Sequence, residues 1–182
     1  MVETENTTST TAYIGLGSNE GNREQALRRA IGHLGAHSEI MVSDVSPVYE
    51  TDPVEVEGDA FLNAVTAVRT TLTARQLLEF LNRIEKSMGR VRLRDRKTSR
   101  VIDLDLLLFG ETVLKTGKLT LPHPRMRNRR FVLNPLADLN PQLKIPGETR
   151  SVTILAESLA RKHPEQGIRL FGTLDQQVTE SL

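Results

Sequence analysis

The run VIDLDLLLF at residues 101–109 constrains the fold most strongly, because its alternation predicts a β-strand with one apolar face. Successive side chains of a strand point to opposite faces. One predicted face therefore carries four aliphatic side chains: Ile102, Leu104, Leu106 and Leu108. The other carries Asp103 and Asp105, about 7 Å apart at a rise of ~3.3 Å per residue. The chain must therefore contain a sheet with at least one covered face.

Two carboxylates on a strand this hydrophobic are costly unless a cation or basic side chains neutralise them. The chain has no cysteine, so a metal would be held by oxygen or histidine ligands. Mg²⁺ is commonly held by one or two carboxylates together with substrate phosphates. The alternative is a solvent-facing strand side on which Asp103 and Asp105 meet water or nearby arginines. Spacing alone leaves both interpretations open.

Two basic clusters flank this strand. The first holds six cations within eleven residues: Arg90, Arg92, Arg94, Arg96, Lys97 and Arg100. The second follows the strand: His123, Arg125, Arg127, Arg129 and Arg130. Guanidinium groups suit phosphate oxygens, so this layout is typical of a metal–polyphosphate site. Ordinary solvated loops or a patch for RNA are the alternatives.

The sequence FLN at residues 61–63 predicts a third feature. Strand alternation places Phe61 and Asn63 on one face, an aromatic ring beside an amide that can donate and accept hydrogen bonds. This pairing suits a flat heterocycle. A core phenylalanine beside an edge asparagine is the alternative, and Phe131 allows the same two interpretations.

Strand and helix patterns alternate along the chain in the order β, α, β, β, α, β, with further pieces at the C-terminal end. Helices are predicted to open at four positions: Asn22, Thr73, Asn134 and Ser151. One or two short edge strands are predicted within residues 113–121. The order predicts an α+β fold of ferredoxin-like type: a split βαβ arrangement whose mainly antiparallel sheet is flanked by helices.

Composition narrows the class of protein. The 182 residues are predicted to form a disordered leader at 1–11, one domain at 12–172 and a polar tail at 173–182. A formal net charge of +1 argues against a chain that coats nucleic acid or an anionic membrane. The lack of cysteine excludes disulfides and a thiol nucleophile. No apolar run approaches the ~18 residues that a membrane span needs, so the cytoplasm is the expected compartment.

Six sequence blocks resemble one known family in order and spacing. They are YIGLGSN at 13–19, YET at 49–51 with Pro53, FLNAV at 61–65, RIE at 83–85 with Gly89 and Arg90, DLDL at 103–106, and LPHP at 121–124 followed by Arg129, Phe131 and Leu133. From about residue 12 to 160 the chain resembles the 6-hydroxymethyl-7,8-dihydropterin pyrophosphokinase family of folate biosynthesis. The resemblance implies an ATP-dependent diphosphotransferase that moves diphosphate from ATP to the pterin hydroxymethyl group and releases AMP.

The resemblance also implies roles for individual residues. Asp103 and Asp105 match ligands of two Mg²⁺ ions. Residues matching pterin contacts are Thr51, Phe61, Asn63 and Phe131. Residues matching ATP contacts are Asn82, Glu85, His123 and Arg129. Arginines matching those of the family's mobile catalytic loop and its hinge, which engage the phosphates, are Arg90, Arg92 and Arg100. Family members are typically monomeric and cytoplasmic, and their partners are ATP and the reduced pterin rather than nucleic acid or membrane.

One stretch departs from the family. Members often carry an aromatic residue and a Gly-Pro turn before the acidic strand, whereas this chain has KTS at 97–99. Two rival functions remain at this point: an RNA-binding module built on a ferredoxin-like sheet, and a metal-dependent nuclease that uses Asp103 and Asp105. The 4% aromatic content argues against the RNA module. Pterin-dependent release of AMP from ATP would separate all three.

Overall fold

The computed structural model of the chain describes residues 8–52, 60–89 and 100–174. The strands are β1 Thr10–Ser18, β2 Ile40–Val45, β3 Val48–Thr51, β4 Phe61–Thr70, β5 Asp103–Phe109, β6 Leu114–Lys115, β7 Thr120–Leu121 and β8 Ile168–Gly172. The helices are α1 Arg23–Gly35, α2 Ala74–Ser87, α3 Arg130–Leu139 and α4 Val152–Lys162, with a 3₁₀ turn at Met126–Asn128.

One antiparallel sheet organises these elements. Its strand order is β5-β1-β4-β3-β8. Strand β2 also pairs with β4, at residues 66–70, whereas β3 pairs with residues 61–63 of the same strand. Helix α1 joins β1 to β2, and α2 joins β4 to β5, so each βαβ unit is split by an intervening strand. The predicted α+β fold with a mainly antiparallel sheet flanked by helices is confirmed.

Local capping fixes three of the helix starts. The Asn22 side chain accepts from the Gln25 N–H at the start of α1. Thr73 and Gln76 form a capping box at α2, and Ser151 caps α4. These three predicted helix starts are confirmed.

A separate hydrophobic core covers each face of the sheet. The first core lies under α1 and α2 and includes Leu27, Leu81 and Leu104. The second lies under α3 and α4 and includes Val65, Leu133 and Leu155. Tyr49 of β3 also ties the sheet to α3, because its phenol donates to Asp138 Oδ2 at 2.6 Å. The sheet is therefore the middle of three layers.

A β-bulge in β5 overturns one predicted side-chain direction. Tyr13 of β1 pairs with Leu108, whereas the next residue, Ile14, pairs with Leu106. Leu107 is the extra residue, and Leu107 and Leu108 both pack in the second core. The prediction that Leu108 shares a face with Leu106 is therefore wrong, whereas Asp103 and Asp105 do share a face.

Three further elements differ from the sequence prediction. Helix α3 begins at Arg130, four residues before the predicted start, so Pro135 lies inside it. Strands β6 and β7 pair with each other and form no edge of the main sheet. Strand β8 was not predicted, and it extends the sheet beside β3.

The predicted leader, domain and tail extend beyond the described residues. Within those residues, β1 begins at Thr10 and Leu174 packs in the first core. No helix in the described part of the chain is long and apolar enough to cross a membrane.

Candidate active site

Two cavities meet at the acidic pair on β5. The larger, about 660 Å³, lies on the side of the sheet that carries α3 and α4. The smaller, about 310 Å³, lies between α2, β5 and residues 116–124. Asp103 and Asp105 line both cavities. A ligand in either cavity therefore reaches the same two carboxylates.

Gly17 forms part of the floor of the large cavity. It pairs with Asn63 of β4 on one side and with Asp103 of β5 on the other. A Cβ atom at this position would lie 3.3 Å from Asn63 Oδ1 and 3.9 Å from Phe61 Cδ1. The absence of a side chain at Gly17 thus keeps open the space between the amide, the ring and the acidic pair.

The Asn63 amide is held in a fixed orientation. Asn63 is 5% exposed, and its Nδ2 donates to Thr51 Oγ1 at 2.9 Å. This bond leaves Oδ1 close to the Gly17 backbone at the cavity floor. Thr51 lies at the end of β3, directly opposite Phe61 of β4. Three of the predicted pterin-binding residues therefore lie side by side on two paired strands.

Helix α3 supplies the facing wall through Arg129, its N-cap, and Phe131 in its first turn. The Arg129 guanidinium lies over the Phe131 ring, 5.3 Å from its centroid. Arg129 Nη1 also lies 3.5 Å from Asp105 Oδ2. The start of α3 thus presents an aromatic ring and a cation to the cavity together.

Basic side chains neutralise the acidic pair. Arg100 donates to Asp103 Oδ2, while Asp105 faces Arg129. His123 Nε2 lies 3.9 Å from Asp105 Oδ2, too far for a hydrogen bond. The two carboxylates are therefore paired with different cations, and their charge is available to a metal only in competition with these arginines.

The His123 ring is oriented by the backbone. Its Nδ1 accepts from the Arg125 N–H at 3.3 Å, so Nε2 carries the proton of the neutral ring and faces the acidic pair. Burial is the largest cause that lowers the pKa of His123; Asp105 opposes it, and Arg129 adds to it. Burial also lowers the pKa of Arg129, with Arg125 as the next cause.

The small cavity is lined by polar side chains of α2, including Asn82 and Glu85, and by His123. Glu85 is 2% exposed, and its Oε1 accepts the backbone N–H of Leu104 at 2.8 Å. Asn82 Nδ2 donates to the Leu78 carbonyl. Glu85 therefore ties α2 to β5 at the wall of the cavity.

The structure brings most of the predicted site residues together. The large cavity is lined by Thr51, Phe61, Asn63, Arg100, Arg129 and Phe131. The small one is lined by Asn82, Glu85 and His123. Arg129, predicted to contact ATP, thus lies with the residues predicted to bind the pterin. Arg90 and Arg92 lie outside the described residues, and the predicted role of each residue remains a prediction.

Sequence reasoning missed two residues of this site. Gly17 lies in the YIGLGSN block that carries the family resemblance, but the sequence assigns it no role in a site. Gln166 lines the large cavity from the segment between α4 and β8. Nothing in its local sequence indicates this, because the contact depends on the tertiary fold.

Two cavities that share an acidic pair on a ferredoxin-like sheet are an arrangement typical of an α+β enzyme with two substrates. A sequence model of the family 7,8-dihydro-6-hydroxymethylpterin-pyrophosphokinase (HPPK) matches residues 13–141. The chain belongs to this family. It is an ATP-dependent pyrophosphokinase, which transfers diphosphate to hydroxymethyldihydropterin in folate biosynthesis.

Individual relatives agree with the family match. The chain is 46% identical over 161 residues to the 2-amino-4-hydroxy-6-hydroxymethyldihydropteridine pyrophosphokinase of Bacillus subtilis, covering 88% of this chain and 89% of that protein. The Methylorubrum extorquens protein of the same name is 44% identical over 156 residues, covering 85% and 95%. The folic acid synthesis protein fol1 of Schizosaccharomyces pombe is 38% identical, and the match covers 94% of this chain but 23% of that longer protein.

A solved structure supports the fold. Wild-type HPPK-DHPS of Plasmodium falciparum superposes with a TM-score of 0.69 at 16% identity, covering 90% of this chain and 43% of that chain. At this identity the likeness shows the fold alone.

Proposed function

We propose that the large cavity binds the reduced pterin and the small cavity binds ATP, so that the hydroxymethyl group and the phosphates meet at Asp103 and Asp105. The observation that carries this proposal is that both cavities are lined by the same two carboxylates. A transfer between two substrates needs such a shared point, because catalysis by positioning requires the reacting atoms to lie about 3–3.5 Å apart.

The walls of the large cavity suit a flat heterocycle with polar edges. Phe61 and Phe131 come from opposite walls, the sheet and α3, and are proposed to lie against the two faces of the ring. Asn63, oriented by Thr51, is proposed to form hydrogen bonds with the pterin edge. Gly17 leaves the room that a ring at this depth requires.

The acidic pair offers two carboxylates, which is the number and kind of protein ligand that Mg²⁺ usually takes. The described residues contain no group of three or more potential metal-binding His, Asp or Glu side chains. Mg²⁺ does not require one, since it is usually held by one or two carboxylates, substrate phosphates and water. Asp103 and Asp105 would hold two Mg²⁺ ions, as the family resemblance implies. Bound there, the metal would neutralise phosphate charge.

Arginines and His123 are proposed to bind the polyphosphate. Arg100 and Arg129 already contact the acidic pair from the large cavity, and His123 lies beside it in the small one. Asn82 and Glu85 are proposed to contact the nucleotide on the α2 side. Arg90 and Arg92 keep the phosphate-binding role that the family resemblance implies.

In the proposed reaction the pterin hydroxymethyl oxygen attacks the β-phosphorus of ATP. The bond between this phosphorus and the oxygen bridging to the α-phosphate breaks, AMP leaves and the hydroxyl proton is released. The described residues contribute positioning and charge neutralisation, which dominate phosphoryl transfer in general. Burial lowers the pKa of His123, so this ring stays a neutral hydrogen-bond donor at pH values below the usual histidine pKa.

The direct test measures AMP release from ATP with and without 6-hydroxymethyl-7,8-dihydropterin. Asp103→Asn and Asp105→Asn keep the side-chain shape and remove one charge each, so each should lose most turnover and require more Mg²⁺. Glu111→Gln, an exposed acid just after the same strand, is the matched control and should retain wild-type turnover. An Asp variant that melts at a lower temperature yet turns over normally would contradict the proposal, as would AMP release that is independent of the pterin.

We also propose that the chain acts as a monomer in the cytoplasm and binds neither nucleic acid nor membrane. The balanced charge and the lack of cysteine support this proposal. Light scattering coupled to size-exclusion chromatography should give a mass near 20.3 kDa. A dimer mass at micromolar concentration would contradict it.

A further inference from the structure

The side-chain amide of Gln166 brackets the backbone of Arg129. Its Oε1 accepts the N–H of Arg130 at 3.1 Å, and its Nε2 donates to the carbonyl of Asn128 at 3.2 Å. The amide thus pairs with the peptide groups on both sides of Arg129, much as a neighbouring strand would. Only a side chain with a donor and an acceptor at this reach can make both bonds.

A third bond strengthens this contact. Arg130 Nη1 donates to the backbone carbonyl of Gln166 at 2.8 Å. The helix has no side-chain cap of its own at Arg129, so the Gln166 amide satisfies an N–H at the start of α3 that would otherwise lack a partner. A segment distant in sequence therefore fixes where α3 begins.

The residues held in this way face the large cavity. Arg129, with an extended backbone at φ −123° and ψ 110°, directs its guanidinium to Asp105 and over the ring of Phe131. Because Arg129 and Phe131 are one residue either side of Arg130, a shift of this backbone moves both groups relative to Phe61 and Asn63 across the cavity.

The same segment is also attached to the opposite wall. Arg169 Nη2 lies 3.2 Å from Asp52 Oδ1 and 3.4 Å from Glu50 Oε2, next to Thr51. A Cβ atom at Gly167 would lie 3.2 Å from Asp52 Oδ2, so the segment approaches the end of β3 closely. Residues 165–169 thus link the start of α3 to the end of β3, the two walls between which the pterin is proposed to bind.

We infer that Gln166 is a positioning residue that sets the placement of Phe131 against the pterin and of Arg129 beside Asp105. This inference rests on the proposed function, because it requires the pterin to occupy the large cavity. Gln166 acts through the backbone of residues 128–130 and need not touch the substrate. The exposed ion pairs of Arg169 are expected to contribute less, since such pairs are weak in water.

The test uses Gln166→Met, which keeps the side-chain length and removes both amide bonds. The KM for 6-hydroxymethyl-7,8-dihydropterin should rise about tenfold, equivalent to ~1.4 kcal/mol. The KM for ATP should rise less, because Arg129 is only one of several groups proposed to bind the polyphosphate. Gln166→Glu keeps an acceptor for the Arg130 N–H and should give an intermediate KM. Gln142→Met, at an exposed glutamine, is the matched control and should behave as wild type.

A double-mutant cycle with Phe131→Ala separates positioning from general stability. If Gln166 acts by placing Phe131, the effect of Gln166→Met on the pterin KM should largely disappear in the Phe131→Ala background. Fully additive effects of the two substitutions on the pterin KM would overturn the inference. It would also be overturned if Phe131→Ala raised the pterin KM and Gln166→Met left it unchanged. If Phe131→Ala alone leaves the pterin KM unchanged, the proposed binding site is wrong and the inference fails with it.

Discussion

Replacing Gly17 with alanine should separate pterin binding from folding. The added methyl would lie 3.3 Å from Asn63 Oδ1 and 3.9 Å from both Asp103 Cβ and Phe61 Cδ1. It would therefore occupy the floor of the large cavity, between the groups proposed to bind the pterin. ATP binding should be unaffected, because Gly17 does not line the small cavity.

The expected magnitudes follow from this geometry. Gly17 does not have a positive φ, so alanine can adopt its backbone conformation and gains about 0.4–1 kcal/mol by restricting the unfolded chain. The short contact to Asn63 offsets part of this gain, so the free energy of unfolding should change by less than ~1 kcal/mol. Overfilling a packed site typically costs ~1–3 kcal/mol, which corresponds to a roughly 5- to 150-fold higher Kd for the pterin.

The assay is a calorimetric titration of 6-hydroxymethyl-7,8-dihydropterin in the presence of a non-hydrolysable ATP analogue, beside urea unfolding of the free protein. Gly32→Ala is the matched control, because a Cβ atom there meets nothing within 4 Å. It should stabilise α1 by roughly 0.5–1 kcal/mol without changing pterin affinity. Wild-type pterin affinity in a folded Gly17→Ala variant would refute the reasoning.

Three other predictions concern neighbouring contacts. Thr51→Val removes the acceptor of the Asn63 amide and should weaken pterin binding by ~1–3 kcal/mol in the same titration, with ATP affinity unchanged. Glu85→Ala removes the Oε1 acceptor of the buried Leu104 N–H and should lower the free energy of unfolding by about 1–3 kcal/mol. Glu85→Gln keeps an acceptor oxygen and should lower it less. Equal losses in the two variants would contradict the role of this bond. Burial and Asp138 raise the pKa of Tyr49 to about 12. The free energy of unfolding of the wild type, measured with urea, should therefore fall as the pH rises from 10 to 12, and that of Tyr49→Phe should fall less. An equal fall in both proteins would contradict this prediction.

The parts of the fold that could be predicted are those encoded by local patterns. The Thr73–Gln76 capping box and the Asn22 cap each act within one helical turn, so the sequence around them is sufficient. The alternation of residues 101–106 likewise placed both aspartates on one face, and that of residues 61–63 directed Phe61 and Asn63 into the same cavity. A resemblance spanning six blocks then identified the family.

The parts that could not be predicted depend on contacts between distant segments. The bulge at Leu107 becomes visible only when β5 pairs with β1. The sequence predicts a helix that opens at Asn134, next to Pro135, because proline favours the first helical turn. Helix α3 begins earlier, at Arg130, whose N–H is accepted by Gln166. Strand β8 is short and largely exposed, and its identity as a strand depends on pairing with β3.

The pairing of β8 with β3 has a consequence for the time at which the enzyme becomes competent during synthesis. Val48 pairs with Gly172, so more than a hundred residues must be translated between the two partners. At about 5–20 residues per second this takes on the order of ten seconds. A nascent chain therefore contains the acidic pair, Phe61 and Phe131 before residues 165–169 link the start of α3 to the end of β3. Ribosome-bound chains that end before this segment should therefore bind ATP analogues but bind the pterin only weakly.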